Sequence, residues 1–277
     1  MKKSQVMHYP KGLEISYKVE LLKLIDAIEI EFYKEIDFLL DEPFNGDHFT
    51  DDVELFFEKL SVFSKEREFV TIAILVPLLA NVVRLANNQV KQSFNNKDLL
   101  DSSLIDDIED NKVNLANILP IRELNELLRS SISINTNLIK SIPIKLLDDL
   151  SYVIEDGYRV GASLQEIKNS IVNKFNISKN RAVVIARTEI AKLHSNTIRD
   201  EYLKFGIENY EWYTANDERV RSSHKVLNKK ICSWKDSSIY KDNIQDKQWK
   251  KRSSIFATEK QVGEDIQCRC SIIAIIE

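Results

Sequence analysis

The chain is poor in the residues that interrupt regular structure. Six glycines and five prolines among 277 residues impose few obligatory turns and point to long helices. Cysteine is scarce as well. The three, Cys232, Cys268 and Cys270, all fall in the last fifth of the chain, and an odd number argues against a closed disulfide framework and for a reducing site of synthesis. No apolar stretch follows Met1-Lys2-Lys3-Ser4, so the start does not read as a secretory signal, and synthesis in a cytoplasm is expected. The most apolar run, Phe69 to Ala80, contains Pro77; at about 12 residues it falls short of the ~20 needed to span a bilayer. A buried helix, and no membrane partner, is the expectation.

What remains is ordinary globular material. With 43% hydrophobic and 30% charged residues, disordered, collagen-like and membrane classes are excluded, and there is chain enough for one large or two smaller cores. The net charge of -4 conceals an asymmetry. Residues 1–164 carry 18 basic against 28 acidic side chains, and the remainder carries 21 against 15. An acidic helical surface beside a lysine-rich loop region accounts for this, and the two parts are expected to face different surroundings.

Helical spacing dominates the first two thirds. From Leu13 to Leu40 the residues Leu21, Leu24, Ile25, Ile28, Phe32 and Ile36 recur at intervals of three and four, which puts one buried stripe on a helix. Asp41-Glu42-Pro43-Phe44-Asn45-Gly46 then breaks the pattern. A second helix is predicted over 51–63 and a third over 66–94, the latter apolar on more than one side and kinked at Pro77. Residues 95–115, rich in Asn, Asp and Ser, read as a loop with a short helix. The spacing returns over 121–142, and Pro143 fits the first turn of a further helix that ends near Asp156-Gly157. Ser163-Leu164-Gln165-Glu166 is a capping box opening a helix to about Phe175. Ser178 caps the next, which carries Val183, Ala186, Ile190 and Leu193 on one face and runs to Phe205, with Gly206 as its stop.

Beyond Gly206 the pattern changes. Tyr210, Trp212 and Thr214 alternate in the manner of a strand, Ile272 to Ile276 form a second apolar stretch, and the segment between is polar and loop-rich. The fold class is therefore α+β: a mainly α-helical N-terminal region followed by a small α/β or β-rich C-terminal module. Three successive segments are expected, a helical region at 1–134, a second helical part at 135–205 and the small module at 206–277.

Three strings stand out in the last third: RTEIAKLHSN from Arg187, ENYEWYTANDERVRSSHKVLNKK from Glu208 and GEDIQCRC from Gly263. In order and spacing they resemble the phage head morphogenesis family, known from the minor head proteins of Mu-like and SPP1-like phages. The resemblance covers roughly residues 135–277 and rests on Ala186, Arg187, Thr188, Glu189, Gly206, Trp212, Thr214, Asp217, Arg219, Val220, Arg221, His224, Cys268, Arg269 and Cys270. Two departures fall at turns: the family usually has Asn-Gly-Lys where this chain has Asn228-Lys229-Lys230, and a Pro where it has Val262. The resemblance implies a low-copy, non-enzymatic protein of the virion head, made in a bacterial host's cytoplasm. Its implied partners are the portal protein and the major capsid or scaffold protein, with contact to packaged DNA as a further expectation.

Read as chemistry, the same residues leave alternatives open. Arg187 and Glu189 flank an apolar stripe, where a positioned acid and base could move protons, but a charged helical face explains them as well. Asp217, Arg219 and Arg221 follow an aromatic strand; they either clamp a phosphate or partner backbone, or Asp217 caps the turn while the arginines pair with local carboxylates. His224, Cys232, Cys268 and Cys270 form the one plausible metal set, suited to structural zinc. In a flat strand Cys-x-Cys ligands stand about 6.5–7 Å apart, so the pair needs a turn-like backbone; two strand-end thiols beside a hydrogen-bonded His is the other reading. Trp212 is expected in the core, while Trp234 and Trp249 could pack or could stack on bases among Lys229, Lys230, Lys247, Lys250 and Lys251. Two further functions are carried: a DNA-binding module, from a loose helix-turn-helix around Asn176, and a metal-dependent nuclease built on Asp217 and His224.

Overall fold

The computed structural model describes residues 2–41, 49–93 and 126–276. The expected break at 41–46, the loop at 95–115 and the first residues of the 121–142 helix lie outside these, except for Asp41. Among the described residues four long helices precede most of the sheet: α1 (Lys11–Asp41), α2 (Phe49–Ser93), α3 (Glu126–Arg159) and α4 (Leu164–Lys204). A mostly β region follows, with β2 (Asn209–Tyr213), a short α5 (Ser222–Lys225), β3 (Ile231–Ser233), β4 (Ile239–Lys241), β5 (Lys250–Lys251) and β6 (Ser271–Ile276). One further strand, β1 (Lys2–Lys3), starts the chain. The α+β class holds, and both alternating stretches are strands.

Three predicted helix boundaries do not exist. α2 runs through Phe63 to Glu66 without a break, α3 contains Pro143 in its interior, and α4 passes through Asn176-Ile177-Ser178. In α3 the proline removes one helical hydrogen bond, but Ile139, Ile142 and Leu146 are all buried around it, and that packing outweighs the local loss. In α4 the segment holds neither Gly nor Pro, and Phe175, Ser178 and Ala182 are buried in succession. Ser178 is therefore a mid-helix residue, and the turn on which the helix-turn-helix reading depended is absent. The capping box is present: the Glu166 carboxylate accepts from the Ser163 amide at 2.8 Å, and Ser163 Oγ accepts from the Glu166 amide at 3.3 Å. By length and composition α2 is apolar enough to cross a membrane, and 44% of its most apolar window is buried within the protein. That corrects the shorter run expected. Leu75, Leu78, Leu79, Val82 and Ala86 are core residues, whereas Phe69 is 75% exposed.

The described residues divide into two compact units. One comprises 15–41, 49–76 and 132–186, the other 2–14, 77–93, 126–131 and 187–276. In the first, stretches of all four helices bury Leu21, Ile25, Ile28, Phe32, Phe56, Ile139, Leu150, Ile171 and Phe175. Phe32 meets Phe56 and Phe175 edge-on at 5.5 and 5.6 Å, an arrangement that adds to apolar burial. Tyr17 donates to Asn135 Oδ1 at 2.5 Å, and Lys179 pairs with Asp26 and Glu29.

The second unit holds the sheet, with strand order β1-β6-β2-β3-β4-β5 and antiparallel pairing throughout. Trp212 sits opposite Ile272 and Tyr210 opposite Ala274, so the alternation of β2 aims Tyr210 and Trp212 at one core. Ala86, Val90, Ile198, Tyr202, Leu227, Trp234 and Val262 complete it, together with Met7, whose segment bridges to Ile272. The β1 pairing at the sheet edge has no counterpart in the sequence reading. Two residues are too few to show a period.

Candidate metal centre and the turn that carries it

The segment from Gly263 to Cys270 folds as irregular turns between the core residue Val262 and β6. Gly263 has φ +86°, and a Cβ there would stand 2.7 Å from the Ala191 carbonyl oxygen and 2.4 Å from Ser195 Oγ on α4. Only glycine permits both the backbone angle and the approach. Gln267 adopts a left-handed φ of +58°, and the chain bends there immediately before the Cys-x-Cys. This is the turn-like backbone that two sulfurs need to converge.

They converge on His224. The short helix α5, entered by a His224 N–H to Arg221 carbonyl bond of 3.0 Å, sets the imidazole with Nδ1 3.4 Å from Cys270 Sγ and 3.9 Å from Cys268 Sγ. All three donor atoms lie within 4.8 Å of one another, and all three residues are buried. On the far side of the ring Nε2 meets Asp265 Oδ2 at 2.8 Å, while Thr258 Oγ1 donates to the same oxygen at 3.0 Å and Lys260 pairs with Oδ1 at 3.2 Å. Trp212 stands edge-on to the imidazole at 5.4 Å.

The electrostatics follow from these contacts. Burial opposes a charged His224, but hydrogen bonds to Cys268 and Asp265 outweigh it and raise its pKa. Burial likewise works against the Asp265 carboxylate, and bonds from His224, Lys260 and Thr258 hold it below its ordinary value. Of the thiols, Cys268 ionises first: the Cys270 side chain, His224 and the backbone amides of Cys270 and Gly263 stabilise its thiolate against burial. Cys270 is pushed up by that neighbouring sulfur and by burial.

Several other motif residues grip the same turn. Arg187 on α4 reaches Gln267 Oε1 and Glu14 Oε1, each at 3.2 Å, and the Gln267 amide donates to Thr188 Oγ1 at 3.1 Å. Arg221 donates to the Ile266 carbonyl at 2.7 Å. Asp217 accepts a two-pronged bond from Arg269, at 2.5 and 2.7 Å, and caps its own turn through the Arg219 amide at 3.1 Å. Arg269 is the first cause of the lowered Asp217 pKa. Glu189 pairs locally with Lys192 at 2.9 Å. The Trp-x-Thr strand is tied to the 228–230 turn: Lys229 N–H donates to the Trp212 carbonyl at 2.7 Å, Trp212 N–H to the Lys230 carbonyl at 2.9 Å, and Thr214 N–H to Asn228 Oδ1 at 3.0 Å. Lys229, where the family has glycine, takes a left-handed φ of +64°.

Cys232 does not join the cluster. It lies in the core on β3 near Arg252 and Tyr210, and burial pushes its thiol up to about 11. Trp212 and Trp234 are core residues, the latter stacked on Tyr210 with centroids 3.9 Å apart. Trp249 is partly exposed beneath Lys241 at 4.5 Å. Arg219 is exposed and pairs with Asp217, at 3.6 Å. Asp265, Gln267 and Gly263 were missed as site residues although they lie within the three strings, and Thr188 was named there only as part of the motif. An acidic residue three positions before Cys268 was the available signal for Asp265.

These observations define an α+β protein in which charged and hydroxyl side chains of a long helix, a post-strand loop and a short helix all fasten one cysteine-bearing turn. The match is specific: residues 148–273 fit the family described as phage Mu protein F like protein. Over that stretch, just under half of its length, the chain is similar to this family. An uncharacterised protein of Haemophilus influenzae is 27% identical over 143 residues, 52% of this chain and 28% of its own length. The chain thus spans little more than a quarter of that relative. No solved structure matches.

Proposed function

We propose that the protein is a minor head protein of a tailed phage or prophage, made in the host cytoplasm and incorporated into the virion head. It acts in head assembly by contacts with the portal protein and the major capsid or scaffold protein, without catalysis. One observation beyond the family match supports this reading. Arg187, Thr188, Asp217, Arg221 and His224 direct their polar groups onto the 263–270 turn, so the motif consolidates a rigid module instead of presenting reactive groups to a substrate. Both carboxylate oxygens of Asp217 are engaged by Arg269, which argues against its use in a nuclease site.

The test is co-expression of the chain with the portal and capsid genes of its own phage. The protein is expected to co-purify with portal rings and to be present in finished particles. Its absence from particles, or hydrolysis of DNA with added Mg, Mn or Zn, refutes the proposal. A filter-binding titration reads DNA contact separately, because phosphate contacts make affinity fall steeply with salt.

A further inference from the structure

We infer that His224 Nδ1, Cys268 Sγ and Cys270 Sγ hold one zinc ion, with Asp265 orienting the imidazole and Cys232 taking no part. The inference is independent of the role in head assembly, so either can fail alone.

The two nitrogen–sulfur distances are close to those a tetrahedral ion requires. With zinc–sulfur bonds of about 2.3 Å and zinc–nitrogen bonds of about 2.0 Å, tetrahedral angles place ligand atoms roughly 3.5–3.8 Å apart. The structure has 3.4 and 3.9 Å from nitrogen to the two sulfurs, and no donor pair beyond 4.8 Å. The second layer matches as well. A metal-bound imidazole characteristically donates a hydrogen bond from its other N–H to a carboxylate, which fixes the ring and strengthens the ligand. Here Nε2 faces Asp265 Oδ2 at 2.8 Å, and Thr258 and Lys260 hold that carboxylate in turn. Two thiolates and one imidazole are a soft set that suits zinc over magnesium or calcium.

The row Asp265–His224–Cys270 also has the form of an orienter, a base and a nucleophile. Two features favour the ion. Both sulfurs are buried, whereas a nucleophile must meet its substrate. A second sulfur also stands at ligand distance from the same nitrogen, which nucleophilic chemistry does not call for.

The experiment uses the full chain, purified under reducing conditions from zinc-supplemented cells, with metal counted by mass spectrometry. One zinc per chain is expected. After chelation, Co2+ added alone should give the intense visible bands of a tetrahedral site together with a sulfur-to-cobalt charge-transfer band. Cys232→Ser should keep the full complement, and Asp265→Asn should keep one site with affinity lowered about 10–100-fold. A metal-free chain whose Co2+ spectrum lacks the charge-transfer band overturns the inference. So does loss of the ion in Cys232→Ser, or an unchanged affinity in Asp265→Asn. The wild-type cobalt spectrum decides the ligand type even if Cys270→Ser and His224→Gln fail to fold.

Discussion

Replacing Gly263 by alanine tests whether the approach of the cysteine-bearing turn to α4 holds the second unit together. Two costs add. A φ of +86° is unfavourable for any residue with a Cβ, by about 1–2 kcal/mol. The new methyl would also stand 2.7 Å from both the Ala191 carbonyl oxygen and Ser195 Cβ, which forces backbone movement, and overpacking of that kind costs roughly 1–3 kcal/mol. Allowing for the lower entropy of the unfolded alanine chain, the loss should be about 2–4 kcal/mol. Gly206→Ala supplies the control, since its φ is +72° with nothing within 4 Å of the added Cβ; only the backbone cost of about 1 kcal/mol remains. The readout is urea unfolding followed by tryptophan fluorescence. Trp212, Trp234 and Trp249 all belong to the unit that contains 187–277, so the signal reports that unit alone. Adding Ser195→Ala should not rescue Gly263→Ala, because the carbonyl and the Cβ stay in place. If Gly263→Ala proves no worse than Gly206→Ala, the close packing is not a source of stability and the reasoning fails.

Two further outcomes follow from backbone strain and from burial. Lys229→Gly, which restores the family's residue at a left-handed φ of +64°, should leave stability unchanged or raise it by up to about 1 kcal/mol in the same urea assay; a clear loss would show that the lysine side chain matters more than the strain. His194 is buried against Gln89 Oε1 at 3.0 Å, and burial lowers its pKa from 6.5 to about 3. The folded form therefore keeps it neutral. Its contribution is whole above pH 6.5 and is lost as pH falls toward 3, at about 1.4 kcal/mol per unit, or roughly 2 kcal/mol at pH 5. Unfolding measured between pH 7 and 5 should show a shallower decline in His194→Gln than in the parent, and equal slopes would refute the assignment.

Much of the local structure was legible in the residues. The three-and-four spacing of Leu21 to Ile36 specified α1, Ser163 and Glu166 specified the start of α4, and the alternation of Tyr210 and Trp212 specified β2 with its buried face. Each is a pattern among residues within a few positions of one another, where propensity and burial act on the same short segment. The helix ends at 142 and about 175 were misplaced because Pro143 and Ser178 offer only local hints. Ile139, Ile142, Phe175 and Ala182, buried on both sides of them, decide the outcome.

By itself the sequence determined the helical periodicity, the strand alternation, the motif strings and the four residues from which a metal centre could be drawn. The tertiary structure alone decided that Cys232 stays in the core while His224 joins Cys268 and Cys270, that Asp265 stands behind the imidazole, and that residues 2–3 pair with the last strand. The reason is physical. Residues 41 to 46 positions apart share a site only when sheet register and a left-handed turn at Gln267 bring them together. Those are properties of packing across the whole unit, and no window of neighbouring residues contains them.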